Sequence, residues 1–241
     1  MSSNETARTA DVTPVVARIW HTLAGLGDPE RAVAQQAYMK SETPFRGLTS
    51  PELAATLKPI LADWEPPTRA GWEQAIRELW DDVAYREEWY AALALLRHRH
   101  GRGWLDPELL GLLRHLITTG AWWDVVDVIA THPLRDALAA YPDEIGPVMR
   151  AWARDDDLWL RRSAVLCQVG RKAQTDRALL LDAIEANLAD RSFWLRKAIG
   201  WALRDQARHD PAWVLAQVER WGTDLSGLSR REALKHHQHL A

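Results

Sequence analysis

The sequence contains a single cysteine, which excludes any disulfide within the chain. Cys167 lies in the apolar stretch Ala164-Val165-Leu166-Cys167, where a buried, inert thiol is expected rather than a nucleophile. No apolar run reaches the roughly 18 residues that a bilayer-spanning helix needs, and the first residues lack the charged-then-apolar pattern of a secretory signal. These absences together predict a cytoplasmic protein.

Several motifs of known enzyme classes are also missing. The sequence has no glycine-rich phosphate loop, no nucleophile elbow and no zinc signature, so we expect neither a metal nor another cofactor. His236, His237 and His239 have no acidic or cysteine partners at ligand spacing, and a polar tail is the better interpretation.

Basic residues are not in excess, because the net charge is −3. Nucleic-acid binders usually carry a positive surplus. The acidity is concentrated early in the chain, where residues 1–90 hold 9 Lys/Arg against 14 Asp/Glu, while residues 91–241 hold 21 against 19. Since a binding face is a local property, the overall charge does not exclude a DNA-binding surface.

Tryptophan is abundant, with 14 copies in 241 residues, so we expect some to be displayed for contact rather than buried. Trp123 and Asp127 fall four positions apart, which places them on one helical face. An indole beside a carboxylate suits a positively charged organic ligand. Alternatively, Trp123 packs in the core and Asp127 faces water. The apolar residues around Asp127 favour a carboxylate that is partnered or functional.

Apolar residues recur every three or four positions with no strand-like alternation, which predicts an all-α fold. Capping side chains precede proline at Asp28-Pro29, Ser50-Pro51, Asp106-Pro107 and Asp210-Pro211, and Thr49-x-x-Glu52 and Ser229-x-x-Glu232 have capping-box spacing. The pattern predicts helices near 13–26, 29–41, 51–64, 69–82, 85–99, 107–119, 121–131, 143–154, 157–170, 176–189, 192–208, 211–221 and from about 230.

An internal repeat is visible at an offset of 35 residues. The stretch Asp157-Leu158-Trp159-Leu160-Arg161-Arg162 matches Ser192-Phe193-Trp194-Leu195-Arg196-Lys197. This offset fits a two-helix repeat of the HEAT or tetratricopeptide size class. We therefore predict a curved α-solenoid of HEAT-like helix pairs with a concave binding face, formed by a single domain over 13–236, a disordered N-terminus over 1–12 and a C-terminal tail over 237–241.

Arginines accompany two of the tryptophans. Arg161 and Arg162 follow Trp159, and Trp201 precedes Arg204 by three positions, which is again one helical face. An arginine beside an aromatic ring can hold a phosphate while the ring packs against sugar or base. The alternative is a solvent-facing arginine whose stem covers the ring.

The order and spacing of these motifs resemble the AlkD-type DNA alkylation repair glycosylases over roughly residues 13 to 236. The likeness is carried by Tyr38-Met39-Lys40, Pro44-Phe45-x-Gly47, Trp122-Trp123-Asp124-x-x-Asp127, Leu158-Trp159-Leu160-Arg161-Arg162 and Lys197-Ala198-Ile199-Gly200-Trp201-Ala202-Leu203-Arg204.

The resemblance implies excision of N3- or N7-alkylated purines from duplex DNA, without a pocket that encloses the damaged base. It implies that Asp127 is the catalytic carboxylate and that Trp123 and Trp201 flank the deoxyribose of the lesion, in a catalytic set of three. Arg162 and Arg204 are similar to the family's phosphate-binding arginines, and Tyr38 matches a tyrosine that contacts the DNA near the lesion. The predicted DNA-binding set also includes Lys40, Arg161, Trp159 and Lys197.

An alkyl group on N3 or N7 makes the purine a cation, so it leaves as a neutral base without being protonated. A carboxylate can then stabilise the positive charge that develops on the sugar, and no metal or redox cofactor is required. The expected partner is alkylated double-stranded DNA, bound by a monomer with no membrane or obligate protein partner. Two alternatives are a non-catalytic helical-repeat scaffold and a binder of distorted or branched DNA.

Overall fold

The computed structural model describes residues 12–236, and every regular element within this range is helical, which confirms the all-α prediction. The disorder predicted for the N-terminus and the predicted tail over 237–241 fall on residues outside this range, apart from Val12. None of the helices between residues 12 and 236 is long and apolar enough to cross a membrane.

The described residues divide into two compact units, one through Trp104 and one from Leu105. The sequence predicted a single domain over 13–236. The division into two compact units does not test whether they form one domain, so this remains a prediction. The first unit contains α1 (Pro14–Ala24), α2 (Pro29–Met39), α3 (Ser50–Ala62), α4 (Arg69–Asp81), α5 (Arg86–Leu96) and a 3-10 helix (Arg99–Trp104).

Tryptophans build the core of the first unit, where α4 packs along α5. Trp72 and Trp80 are fully buried, and Trp80 stacks on Trp89 with ring centroids 5.1 Å apart. The indole N–H of Trp72 donates to the carbonyl of Leu95 at 3.0 Å, and that of Trp89 donates to the carbonyl of Trp80 at 3.0 Å. Trp72 and Trp89 are packing residues, because the one polar atom of each ring is satisfied inside the core.

The second unit begins with a 3-10 turn (Pro107–Leu109). A series of α-helices follows, and a short π-helical segment interrupts one of them. Its α-helices are α6 (Leu110–Gly120), α7 (Trp123–Ile129), α8 (Arg135–Ala140), α9 (Pro142–Trp152), α10 (Leu158–Leu166), α11 (Arg177–Glu185), α12 (Phe193–Ala207), α13 (Pro211–Trp221) and α14 (Gly227–Ala233), with the π segment at Ala130–Leu134 and a 3-10 turn at Lys172–Gln174.

Within the second unit, α7 packs on α10, α10 packs on α12, and α12 packs on α14. The contacts between α10 and α12 follow the predicted 35-residue offset. Near the start of both helices the rings of Trp159 and Trp194 meet at 5.8 Å, and beyond the end of α10 the N–H of Gly170 donates to Asp205 Oδ2 at 2.7 Å. The two helices are therefore parallel, and positions 35 residues apart face each other.

The capping motifs explain most helix starts. Asp28 and Asp210 accept backbone N–H groups as N-caps, and Thr49 and Glu52 form a reciprocal capping box, as predicted. The capping box predicted at Ser229-x-x-Glu232 is wrong. Ser226 caps α14, and the hydroxyl of Ser229 lies inside the helix and donates to the carbonyl of Arg196 at 2.9 Å. Sequence spacing alone could not distinguish the two serines.

The helix that starts at Trp123 continues to Ala140 and does not end near residue 131 as predicted, because the π segment carries it through Pro133. Proline lacks the N–H of a regular helical turn and its ring clashes with the carbonyl four residues earlier. A wider turn relieves that clash. The helix predicted near 121–131 is therefore too short, and no predicted helix covers α8.

Candidate functional site

The strongest polar feature of the second unit is a bidentate ion pair between α7 and α10. Arg162 donates from Nε to Asp127 Oδ1 and from Nη2 to Asp127 Oδ2, both at 2.7 Å. Fork-to-fork pairing of this kind fixes orientation as well as charge. The structure thus brings together two residues that the sequence singled out, 35 positions apart.

The ion pair is largely buried, with 5% of the Arg162 side chain and 14% of the Asp127 side chain exposed. Burial raises the pKa of Asp127, and the nearby Asp124 raises it further, while the hydrogen bonds and charge of Arg162 oppose the shift. The pKa of this carboxyl group therefore lies above that of an exposed aspartate. Between residues 12 and 236 the carboxylate accepts hydrogen bonds from Arg162 alone, so each oxygen keeps a second lone pair for another donor.

Arg162 has a third contact that fixes its position. Its Nη1 donates to the backbone carbonyl of Trp194 at 2.5 Å, and the guanidinium carbon lies 6.0 Å from the centroid of the Trp194 ring. Asp127 is thereby linked through Arg162 to the first turn of α12. Three helices, α7, α10 and α12, together set the orientation of one carboxylate.

Aromatic rings cluster beside the ion pair at the starts of the same three helices. Trp122, Trp159 and Trp194 contact one another with centroids 5.2 to 5.9 Å apart. Phe193 packs edge-on against Trp194 at 5.2 Å and is 54% exposed, so the cluster reaches the surface. Such a wall excludes water from one side of the ion pair, which strengthens electrostatic interactions there.

Three predicted aromatic site residues have different surroundings. Trp123 on α7 and Trp201 on α12 are half-buried, and between residues 12 and 236 neither ring makes a hydrogen bond or a ring-to-ring contact. That both rings contact a ligand bound at Asp127 remains a prediction. Trp159 is only 8% exposed inside the cluster, and this burial argues against the DNA contact predicted for it.

The remaining basic residues predicted to bind DNA in this unit have acidic partners. Arg161 Nη1 lies 2.7 Å from Asp190 Oδ2. Lys197 Nζ lies 2.8 Å from Oε1 of Glu232, and Arg204 Nη1 lies 2.5 Å from Oε2 of the same carboxylate. Hydrogen bonds from Lys197 and Arg204 hold the pKa of Glu232 below its usual range. For these side chains a phosphate would have to compete with a carboxylate already in place.

Tyr38 and Lys40, the predicted DNA contacts of the first unit, are both solvent-exposed. Tyr38 is 78% exposed at the end of α2, and Lys40 caps this helix with a left-handed backbone at φ 50°. The segment that follows is anchored by Glu87, whose buried carboxylate accepts the backbone N–H groups of Arg46, Gly47 and Leu48 at 2.9 to 3.2 Å. The two side chains are thus displayed from a well-anchored backbone.

Sequence reasoning missed Trp122, Trp194 and Glu232 as site residues. The repeat could have indicated Trp194, because it aligns with Trp159, whereas nothing in the local spacing points to Glu232. In the part of the chain that the structure describes, no group of three His, Cys, Asp or Glu side chains is placed to hold a metal ion.

Comparison with known proteins assigns the chain to a family. The family model described as DNA alkylation repair enzyme matches residues 19–237. The chain belongs to the DNA alkylation repair enzyme family. A solved structure described as a predicted DNA alkylation repair enzyme from Enterococcus faecalis is similar at 28% identity and a TM-score of 0.77, covering 88% of this chain and 97% of that one. A search of curated proteins gave no match.

Family membership resolves the broad question of role. As a DNA alkylation repair enzyme, the chain functions in the repair of alkylated DNA. This confirms the family inferred from the sequence motifs.

Proposed function

We propose that this DNA alkylation repair enzyme is a glycosylase that excises positively charged N3- and N7-alkylated purines from duplex DNA. The observation that carries the proposal is the buried Asp127 carboxylate, which Arg162 holds in a bidentate pair beside an aromatic wall. The proposed partner is alkylated double-stranded DNA, including 3-methyladenine and 7-methylguanine sites, bound by one copy of the chain.

The chemistry of the lesion determines what the protein must supply. When the glycosidic bond breaks, its electron pair goes to the purine nitrogen, so the cationic base leaves neutral and needs no proton. Positive charge then develops on the deoxyribose until water adds to the anomeric carbon and loses a proton. A preorganised carboxylate stabilises this charge and orients the attacking water.

The two members of the pair have different proposed roles. Asp127 would use its remaining lone pairs toward the sugar and water, while Arg162 acts as a positioning residue rather than as the phosphate ligand predicted from the sequence. Support for this revision comes from its 4% exposure and from its contacts with Asp127 and the carbonyl of Trp194. Trp123 and Trp201 remain the proposed aromatic flanks, where each ring face contributes roughly 0.5–2 kcal/mol of attraction to a cation.

The test is the Asp127→Asn variant, assayed by single-turnover release of 7-methylguanine from alkylated duplex DNA. Asparagine keeps the shape but lacks the charge, so we expect the rate constant to fall by roughly 100-fold or more while duplex affinity changes little. The matched control is Asp182→Asn, which removes the carboxylate of a partly exposed Arg150 pair and should leave the rate unchanged. An Asp127→Asn rate equal to that of the unaltered protein contradicts the proposal.

The pKa of Asp127 gives the assay a second readout. Because burial raises this pKa, we expect release by the unaltered protein to decline as pH falls, at a midpoint above that of an ordinary aspartate. A neutral lesion such as uracil should not be released, since its base would depart as an anion. Efficient uracil release would argue against a mechanism that depends on the charge of the lesion.

A further inference from the structure

The second unit also has a groove lined by basic residues, away from the Asp127 site. An open groove of about 580 Å³ runs between the start of α8 and the loop that joins α10 to α11. This volume is in the range of ligand-binding clefts. Its charged lining residues are Arg135, Asp136, Arg171 and Lys172, three bases against one acid.

Arg171 and Lys172 differ from Arg161, Lys197 and Arg204 in having no competing carboxylate. Within residues 12–236 neither of them forms an ion pair, and the buried Nε of Arg171 has no hydrogen-bond partner. Arg135 pairs with Asp136 at 2.7 Å, and Asp205 accepts the N–H of Gly170 beside the groove. Two positive side chains therefore remain available to an external anion.

The loop holds these side chains in an unusual backbone conformation. Gly170 has φ +88° and Lys172 has φ +59°, a left-handed value that is costly for a lysine. A Cβ at position 170 would lie 3.3 Å from Nη1 of Arg135, so the glycine also permits the close approach of that guanidinium. Strained residues of this kind are concentrated at ligand-binding sites, where the surrounding structure maintains them.

We propose that the groove formed by Arg135, Arg171 and Lys172 binds a phosphodiester group of duplex DNA, at a distance from the lesion. This inference rests on the proposed function. Arg135 follows Asp127 by eight residues of the same continuous helix, and the π segment between them absorbs about one residue, so the groove lies about 10 Å from the carboxylate along the axis. Phosphates of one DNA strand follow one another about every 3.4 Å of helix axis, so a duplex with its damaged sugar at Asp127 carries phosphates at this range, about three nucleotides away.

The experiment compares salt-dependent binding of an unmodified duplex by the unaltered protein and by the double variant Arg171→Gln/Lys172→Asn. Asparagine is chosen because it tolerates the left-handed backbone at position 172. Each phosphate contact adds about 0.9 to the slope of log affinity against log salt. We expect the slope of the variant to be shallower by about 0.9, the value for one phosphate, so that its binding deficit grows roughly 3.5-fold between 200 and 50 mM salt.

The control Arg231→Gln/Lys235→Asn removes two exposed charges from α14 and the residues after it. Its slope should match that of the unaltered protein, because a change in net charge alone forms no phosphate contact. If Arg171→Gln/Lys172→Asn also keeps the full slope, the inference is wrong. Thermal denaturation of each variant verifies folding.

A scan of the duplex provides an independent measurement, made on both the unaltered protein and the Arg171→Gln/Lys172→Asn variant. Single phosphates on both sides of a lesion are replaced one at a time by neutral methylphosphonates. We expect one position, two or more nucleotides from the lesion, at which replacement weakens binding to the unaltered protein but not to the Arg171→Gln/Lys172→Asn variant. Equal losses in both proteins at every position would overturn the inference. Failure of the proposed function shows separately, as base release that Asp127→Asn does not slow.

Discussion

Replacing Arg162 with methionine tests whether the buried carboxylate depends on its partner. Methionine keeps a long side chain but leaves Asp127 without a counter-charge. Removing one member of a buried pair typically costs about 3–5 kcal/mol. Coulomb's law gives a similar value, because unit charges about 4 Å apart attract by ~4 kcal/mol at an effective dielectric constant near 20. Little is lost to solvent screening, since the two side chains are 5% and 14% exposed.

Protonation sets an upper limit on this loss. A carboxyl group with an ordinary pKa of 3.8 can be kept neutral at pH 7 for about 4 kcal/mol, at 1.36 kcal/mol per pH unit. In the variant, the folded state raises the pKa of Asp127 far above that of the unfolded chain and binds a proton that the unfolded chain does not. Stability of the variant therefore increases as pH falls, by about 1.4 kcal/mol per unit.

The assay is urea unfolding of both proteins at pH 5, 6 and 7. We expect Arg162→Met to be about 4 kcal/mol less stable at pH 7, with the deficit narrowing by roughly 3 kcal/mol at pH 5. The double variant Asp127→Asn/Arg162→Met should regain much of the loss, because no buried charge remains. Arg114→Met is the control, since its pair with Asp155 is half-exposed and screened. A deficit at pH 7 below 1 kcal/mol, or one independent of pH, would refute the reasoning.

Two further predictions concern the core of the second unit. Gly200→Ala should lower the free energy of unfolding by roughly 1–3 kcal/mol, because a Cβ there would clash with the Cβ of Glu232 and lie 2.9 Å from the carbonyl oxygen of Ser229; an unchanged melting temperature would show that α14 can shift without cost. Burial raises the pKa of Cys167 to about 12, so the thiol should not react with a disulfide reagent at pH 8 until urea unfolds the chain. Rapid labelling of the folded protein would show that the site opens.

The sequence was most informative where a local rule determines the structure. Capping residues located the helix starts at Asp28, Thr49 and Asp210, and hydrophobic spacing placed Asp127 on an apolar helix. The 35-residue offset also relates Asp127 to Arg162, which are separated by 35 positions and form the buried ion pair. Long-range pairing was the main omission. Whether a basic residue faces phosphate or an internal carboxylate depends on tertiary neighbours, which local spacing does not encode.

The π segment at Ala130–Leu134 has a consequence for the direction in which side chains face. In regular α-helical winding, eight residues turn by about 800°, so Arg135 would be rotated roughly 80° from Asp127 around the axis. One wide turn absorbs about one extra residue and subtracts roughly 100° from that rotation. Arg135 is thereby brought to within about 20° of the direction of Asp127. A local change of helical phase thus aligns the proposed catalytic carboxylate and the proposed phosphate groove along one side of a single helix.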